Sequence, residues 1–208
     1  MTPNGRVSSS FRDPSGELFW QDGVLFRRIN PDYLTEFNRF TQCSLSDHLI
    51  EGGLLIPHED TTPQTADVDN RLIRPEIVPF ISYPYEWSFS QIKDAALCIL
   101  EIQKSALEHG MTLKDGSAYN VQFYKGSTLL IDTLSFESYE EGTPWTPYRQ
   151  FCQHFLAPLV LMSRVDIRLG KLYRQYIDGI PLDLASGLLP RRTWFRPGIA
   201  LHIHAHAA

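Results

Sequence analysis

Asp115, Asn120 and Asp132 are the residues whose types and spacing could do chemistry. Asp115 and Asn120 stand as D-x-x-x-x-N in the polar segment LKDGSAYN, and Asp132 closes the run TLLID. Between them, Val121–Phe123 and Thr128–Ile131 flank Tyr124–Ser127, and Gly126 supplies a turn residue, so a hairpin is expected. Asn120 precedes its first strand and Asp132 follows its second. Paired strands lie about 5 Å apart, so the two ends should meet. A carboxylate and a carboxamide together make a hard-oxygen site suited to magnesium. Asp115 on the same loop can orient or deprotonate an attacking hydroxyl. Those are the parts phosphoryl transfer requires. Singly, each is a common loop Asp, turn Asn or strand-end Asp; their joint spacing favours a site.

The surrounding elements must position this loop. Glu17–Trp20 and Val24–Ile29 read as a hairpin around Asp22-Gly23. Asn30-Pro31 signals an N-cap with proline at the first helical position, and Leu34, Phe37 and Phe40 recur at helical spacing, predicting a helix over 31–42. A second helix covers Ser46–Glu51 and stops at Gly52-Gly53. Residues 57–70 are polar and contain prolines, as a surface loop or linker would. Leu72-Ile73 and Ile77–Ser82 suit edge strands or extended segments. Tyr83–Trp87 is an aromatic connector. Ser88 with Gln91 forms a capping-box pattern, and a broad apolar stripe from Ile92 to Leu107 predicts a long helix ended by Gly110. Tyr148–Arg164 reads as a helix kinked at Pro158, followed by helices over Asp166–Ile177 and Leu182–Leu189. The order is a small mixed lobe and then a helical lobe.

Composition excludes several classes. With 208 residues and 43% hydrophobic content the chain can bury a core as one domain or two small lobes. A formal net charge of -5 gives no overall basic field for nucleic acid or an anionic membrane. Cys43, Cys98 and Cys152 form no CxxC, which argues against a disulfide framework and fits a reducing cytoplasm. The apolar run near 155–162 is far below the ~20 residues that span a bilayer. The opening MTPNGRVSSSF lacks the apolar core of a signal peptide and reads as a short flexible leader.

D-x-x-x-x-N, a hairpin and then I-D resembles the catalytic loop and metal-binding Asp of the protein-kinase-like superfamily, in the style of its aminoglycoside-phosphotransferase branch. That resemblance implies an α+β, bilobal protein-kinase-like fold with a reduced N-terminal β lobe and a helical C-terminal lobe. The divisions would be a leader at 1–10, a small mixed α/β lobe at 11–82, a hinge at 83–88 and a large lobe at 89–208. It further implies Asp115 as catalytic base, Asn120 and Asp132 as metal ligands, and ATP with Mg as cofactors. Tyr83, Tyr85 and Glu86 would form the hinge where an adenine rests, although Tyr83, Tyr85 and Trp87 read more readily as packing residues than as ligand stackers. There are departures. Leu113-Lys114 replaces the usual His or Arg before the Asp, and Lys114 would contact a phosphate. Pro14-Ser15-Gly16 is a weak substitute for a glycine-rich loop. The expected strand lysine is missing; Arg27 and Arg28 stand on that strand, and alternation lets one of them point into the cleft. Glu36 on the next helix is the nearest candidate partner. These departures bear on catalysis more than on fold.

The phrase FISYPYEWSFSQIKDAALCILEIQKSALEHGM, the catalytic-loop segment and YRQFCQHFLAPL together resemble the N-terminal region of bacterial proteins described as SAM-dependent methyltransferases, some of them nodulation-related. The likeness runs over roughly residues 10–206. In those proteins the methyltransferase domain lies further toward the C-terminus, and this chain has no strand–GxGxxG–helix pattern for SAM. Two expectations follow. One is a kinase-like domain that binds Mg-nucleotide and transfers phosphate to an unknown acceptor. The other is a degenerate module, a pseudokinase, that regulates or scaffolds a methyltransferase domain or partner protein.

Three further features are weaker. His202, His204 and His206 alternate, which on a strand would share a face for a metal; a frayed helix or tail is the simpler expectation. Cys152 and His154 are two apart on an expected helix and face different directions. Arg191-Arg192 and Trp194 read as a surface turn.

Overall fold

A computed structural model describes residues 4–7, 13–62 and 71–207. Part of the expected leader and the 63–70 portion of the expected polar loop lie outside the described residues. The protein is α+β, with helices and antiparallel sheets.

The N-terminal sheet has the order β1-β2-β3-β5-β4: β1 is Gly5–Arg6, β2 Gly16–Gln21, β3 Val24–Ile29, β4 His58–Asp60 and β5 Leu72–Pro75. The β2–β3 hairpin is as expected. Asp22 and Gly23 both have positive φ, 51° and 80°, the pairing that suits a two-residue turn to strand twist. Three expectations are corrected. Gly5–Arg6 lies within the expected leader but pairs with β2. Leu72–Pro75 pairs with β3 on one side and β4 on the other, so it is internal rather than an edge strand. His58–Asp60, inside the expected polar loop, is strand β4, while residues 77–82 form no strand, which leaves the other alternative expected of them.

Two helices follow the hairpin, α1 (Leu34–Gln42) and α2 (Leu45–Glu51). A 3-10 turn at Pro31–Tyr33 precedes α1, and Asn30 makes no side-chain cap; its amide Nδ2 donates to Pro14 O at 2.8 Å instead. The long helix is α3 (Phe89–Glu108). Ser88 N donates to Gln91 Oε1 at 2.9 Å and Gln91 N donates to Ser88 Oγ at 3.3 Å, so the reciprocal cap exists. Gly110, at φ +70°, turns the chain into β6 (Met111–Leu113). The second hairpin is β7 (Val121–Tyr124) with β8 (Ser127–Leu130), turning at Lys125-Gly126. β9 (Phe136–Ser138) returns beside β6.

The helix expected at 148–164 divides into α4 (Tyr148–Phe151), a π-helical stretch at Cys152–Leu156 and α5 (Ala157–Arg164). The π stretch has a cause. Pro158 has no N–H to give the carbonyl four residues back. That carbonyl, His154 O, accepts instead from the Tyr173 hydroxyl, and Gln153 O accepts from Ile180 N at 3.0 Å. Tyr173 belongs to a 3-10 helix, Ile167–Arg174, within the helix expected over Asp166–Ile177. α6 (Leu182–Leu188), a 3-10 turn at Arg191–Phe195, α7 (Pro197–Ile199) and a π turn at Ala200–His204 complete the described chain.

The larger buried cluster joins Ile29, Phe37 and Phe40 to Ile99 and Ile102 of α3, to Phe136, and to Phe155 and Tyr173. Phe40 stacks on Phe136 at 4.5 Å. A second cluster lies around Cys152, Leu161, Ile180, Leu182 and Ile203. No helix among the described residues is long and apolar enough to cross a membrane.

Candidate functional site

Antiparallel pairing of β7 and β8 joins the two expected strand ends: Val121 faces Leu130, and Ile131 N donates to Asn120 O at 2.8 Å. Asp132 follows directly. Its Oδ1 takes Arg27 Nη1 at 2.6 Å and Leu134 N at 3.0 Å, and its Oδ2 takes Ser135 Oγ at 2.6 Å.

Arg27 is the arginine that turns inward. It is 6% exposed, and its other terminal nitrogen holds Asp13 Oδ2 at 2.5 Å. Burial alone would lower its pKa, but Asp132 and Asp13 outweigh that and raise it. Burial likewise pushes the Asp132 carboxyl up, yet Arg27, Ser135 and the Leu134 amide hold it below its ordinary value. The pair is therefore fully ionised at neutral pH. Arg28 points the other way; it pairs with Glu17 at 2.6 Å and lies over the Phe19 ring.

Lys114 joins the same cluster. Its ammonium donates to Ser15 Oγ at 2.5 Å and sits 4.0 Å from the Tyr33 ring centroid. Burial lowers its pKa, opposed by Asp13, Asp132 and Glu137. Tyr33 is itself pinned, its hydroxyl donating to Phe136 O. Gly16 is needed here for close approach: a Cβ would lie 2.3 Å from Arg28 O and 2.7 Å from a Leu134 methyl. Its role is to let β2 pack on the segment carrying Asp132.

Other sequence-predicted residues lie apart from this cluster. Glu36 accepts from Ser138 N at 2.6 Å and Ser138 Oγ at 2.8 Å rather than pairing with Arg27. Asp115 caps its own loop through Ser117 N at 2.8 Å, and Gly116 N is tied to Gln150 Oε1 at 2.8 Å on α4. Among the described residues no hydrogen bond or ion pair joins Asp115 to Asn120 or Asp132. His154 lies near Asp115; burial lowers its pKa, and Asp115 opposes that. Asn120 Nδ2 is buried and has no hydrogen-bond partner among the described residues. Tyr83 and Tyr85 stack at 5.4 Å, and Glu86 accepts from Tyr83 N at 2.8 Å. Their connector is anchored to β7 by Gln122, whose amide bonds both Ser82 N (3.0 Å) and Ser82 O (2.9 Å).

Sequence reasoning missed Asp13, Ser135 and Gln122. Asp13 carried one usable signal, an acid just ahead of the strand that lies beside Arg27. Gln122 carried none, because a glutamine alternating into a hairpin face looks like any half-exposed strand residue. Of the alternating histidines, His202 and His204 sit on the π turn and His206 just past it, and none is on a strand. His204 meets Ser186 and Thr193, while His202 meets Tyr148. Among the described residues no group of three or more His, Cys, Asp or Glu side chains could hold a metal ion. The arrangement can fix charge: Arg27 holds the Asp13 and Asp132 carboxylates, and the Asp132 side chain stays 21% exposed.

No family model matches the chain. It is 37% identical over 204 residues to nodulation protein NoeA of Rhizobium meliloti (strain 1021). The alignment takes in 96% of this chain and 42% of that protein. The chain thus spans less than half the length of the relative it matches, and over nearly all of its own length it is similar to part of a nodulation protein.

Proposed function

We propose that the chain is a kinase-like module that does not transfer phosphate and that supports a methyltransferase domain or partner protein. One observation carries the reading. Asp132, which the resemblance makes a metal ligand, has both oxygens engaged by Arg27, Ser135 and the Leu134 amide. A divalent ion there would have to share or displace the Arg27 guanidinium, which weighs against magnesium at Asp132. In active kinases a strand lysine pairs with a helix glutamate and leaves the metal Asp free. Here the strand cation holds the Asp, and Glu36 is occupied by Ser138. The resemblance to the N-terminal region of proteins described as methyltransferases, and a match to less than half of NoeA, support a module of a longer system.

The test combines nucleotide binding with complementation. Millimolar Mg-ATP should leave the melting temperature of the chain unchanged, since a ligand that binds the folded state must raise it. Asp115→Ala should leave any phosphate-transfer signal at background. A longer relative stripped of this region should regain methyl transfer when the chain is added in trans. Magnesium-dependent transfer abolished by Asp115→Ala overturns the proposal.

A second reading, a Mg-ATP phosphotransferase, draws on Asn120. Its Nδ2 is buried and unpartnered among the described residues, and such a donor suits a phosphate oxygen. That reading requires Arg27 to release Asp132. A Mg-ATP thermal shift lost in Asp132→Ala would favour it.

A further inference from the structure

The segment Arg191–Arg196 has a structure of its own that the strand-end cluster does not use. Thr193 is 2% exposed; its Oγ1 donates to Pro190 O at 2.7 Å and meets His204 Nε2 at 2.9 Å. Trp194 lies flat on the His204 ring, 4.3 Å away and 6° from parallel. These contacts anchor the turn from inside. Arg192, Phe195 and Arg196 are left exposed, and Arg164 at the end of α5 joins them. The four residues and Thr193 line one cavity of about 520 Å³.

What sets this cavity apart is that three arginines without a carboxylate partner among the described residues converge on one space. Arg27, Arg28, Arg71, Arg74 and Arg168 each pair with a carboxylate. The side chains of Arg164, Arg192 and Arg196 make no ion pair or hydrogen bond with any described residue, and no carboxylate lines the cavity. Three guanidiniums facing one space give it a local positive potential that suits an anion, although the protein's net charge is -5. Guanidinium forks match phosphate oxygens bidentately. Phe195, 87% exposed, offers an aromatic wall beside the charges. A cavity of this volume falls in the range of small-ligand sites, roughly 300–1,000 Å³.

We propose that Arg164, Arg192, Arg196 and Phe195 bind a small phosphate monoester, the arginines taking the dianionic phosphate and Phe195 its apolar or aromatic group. This site shares no residue with the Arg27–Asp132 cluster, so its test bears on it alone.

Phenyl phosphate, inorganic phosphate and phenyl sulfate serve as probes in calorimetric titrations of the whole chain. Phenyl phosphate should saturate one site and bind more tightly than either other probe. Arg192→Ala or Arg196→Ala should each weaken it about tenfold, the effect of losing one charge-assisted fork. Phe195→Ala should weaken phenyl phosphate and leave inorganic phosphate unchanged. All three positions are exposed, so melting temperatures should match wild type and keep the comparison clean. No saturable binding at ten times the millimolar range of weak ligands, roughly 10 mM, overturns the proposal. So does binding that survives both arginine substitutions, or equal affinity for phosphate and phenyl phosphate.

Discussion

Arg27 and Arg28 are neighbours with opposite fates, and their energetics should differ accordingly. Arg27 is buried between Asp13 and Asp132, whereas the Arg28 side chain is 43% exposed against Glu17. Removing one partner of a buried pair leaves an uncompensated charge, so Arg27→Met should cost about 3–5 kcal/mol in urea unfolding. Arg28→Ala should change stability by about 0.5 kcal/mol or less, because a surface pair is screened. Adding Asp132→Leu to Arg27→Met should recover part of the loss; a fully additive double variant would refute the coupling. The pH dependence has a definite sign. Asp132 has a folded pKa below its ordinary 3.8, so its stabilisation is full above that value and is lost as pH falls through the folded value. The stability gap between wild type and Asp132→Asn should therefore be flat from neutral pH to about 5 and close below 3.8. Asp60 and Asp166 shift the same way, which is why the variant comparison, and not the wild-type acid slope, isolates Asp132.

At the scale of elements, two positions test how the strands and α3 are set. Ser88 satisfies an orphan N–H at the start of α3, and Ser88→Ala should cost about 1 kcal/mol. Gly16 has no special φ; it is required because a Cβ would strike the Arg28 carbonyl at 2.3 Å. Backbone cannot swing aside as a side chain can, so Gly16→Ala should cost about 1–3 kcal/mol and shift the amide resonances of β3 and Leu134 together. A change confined to β2 would show that β2 does not pack on the Asp132 segment. The π stretch at Cys152–Leu156 is a third case. Its freed carbonyl is held by Tyr173, so Tyr173→Phe removes a buried partner and should destabilise α5 selectively in hydrogen exchange.

Across the whole molecule, the larger core decides cooperativity. Phe40 from the N-terminal part stacks on Phe136, and both share a cluster with α3 and Tyr173. Phe40→Ala should cost about 3–5 kcal/mol. Tryptophan fluorescence and far-ultraviolet circular dichroism should still report one coincident unfolding transition, because Phe40 does not belong to a separate core. Two transitions would mean that residues 13–82 fold on their own.

Local chemistry was legible in the sequence wherever it depends on neighbours in the chain. The Asp22-Gly23 and Lys125-Gly126 turns, the Ser88–Gln91 cap, and the meeting of Asn120 with the strand end before Asp132 all follow from period, turn residues and caps. These interactions close within one hairpin or one helical turn, so spacing fixes them. The short strands β1, β4, β6 and β9 were not legible, because two or three residues carry too little periodicity to mark a strand. Nor was the fate of Asp132. Spacing puts its carboxylate at the strand end, but whether that carboxylate meets a cation, a guanidinium or water depends on which face of β3 is turned toward it. That choice is made by long-range packing, where Gly16 lets β2 close on Leu134 and Arg27 is buried with Asp13. The sequence by itself determined which residues could form a charged site; the tertiary structure decided that Arg27 takes Asp132, because burial makes an unpaired charge there too costly to leave.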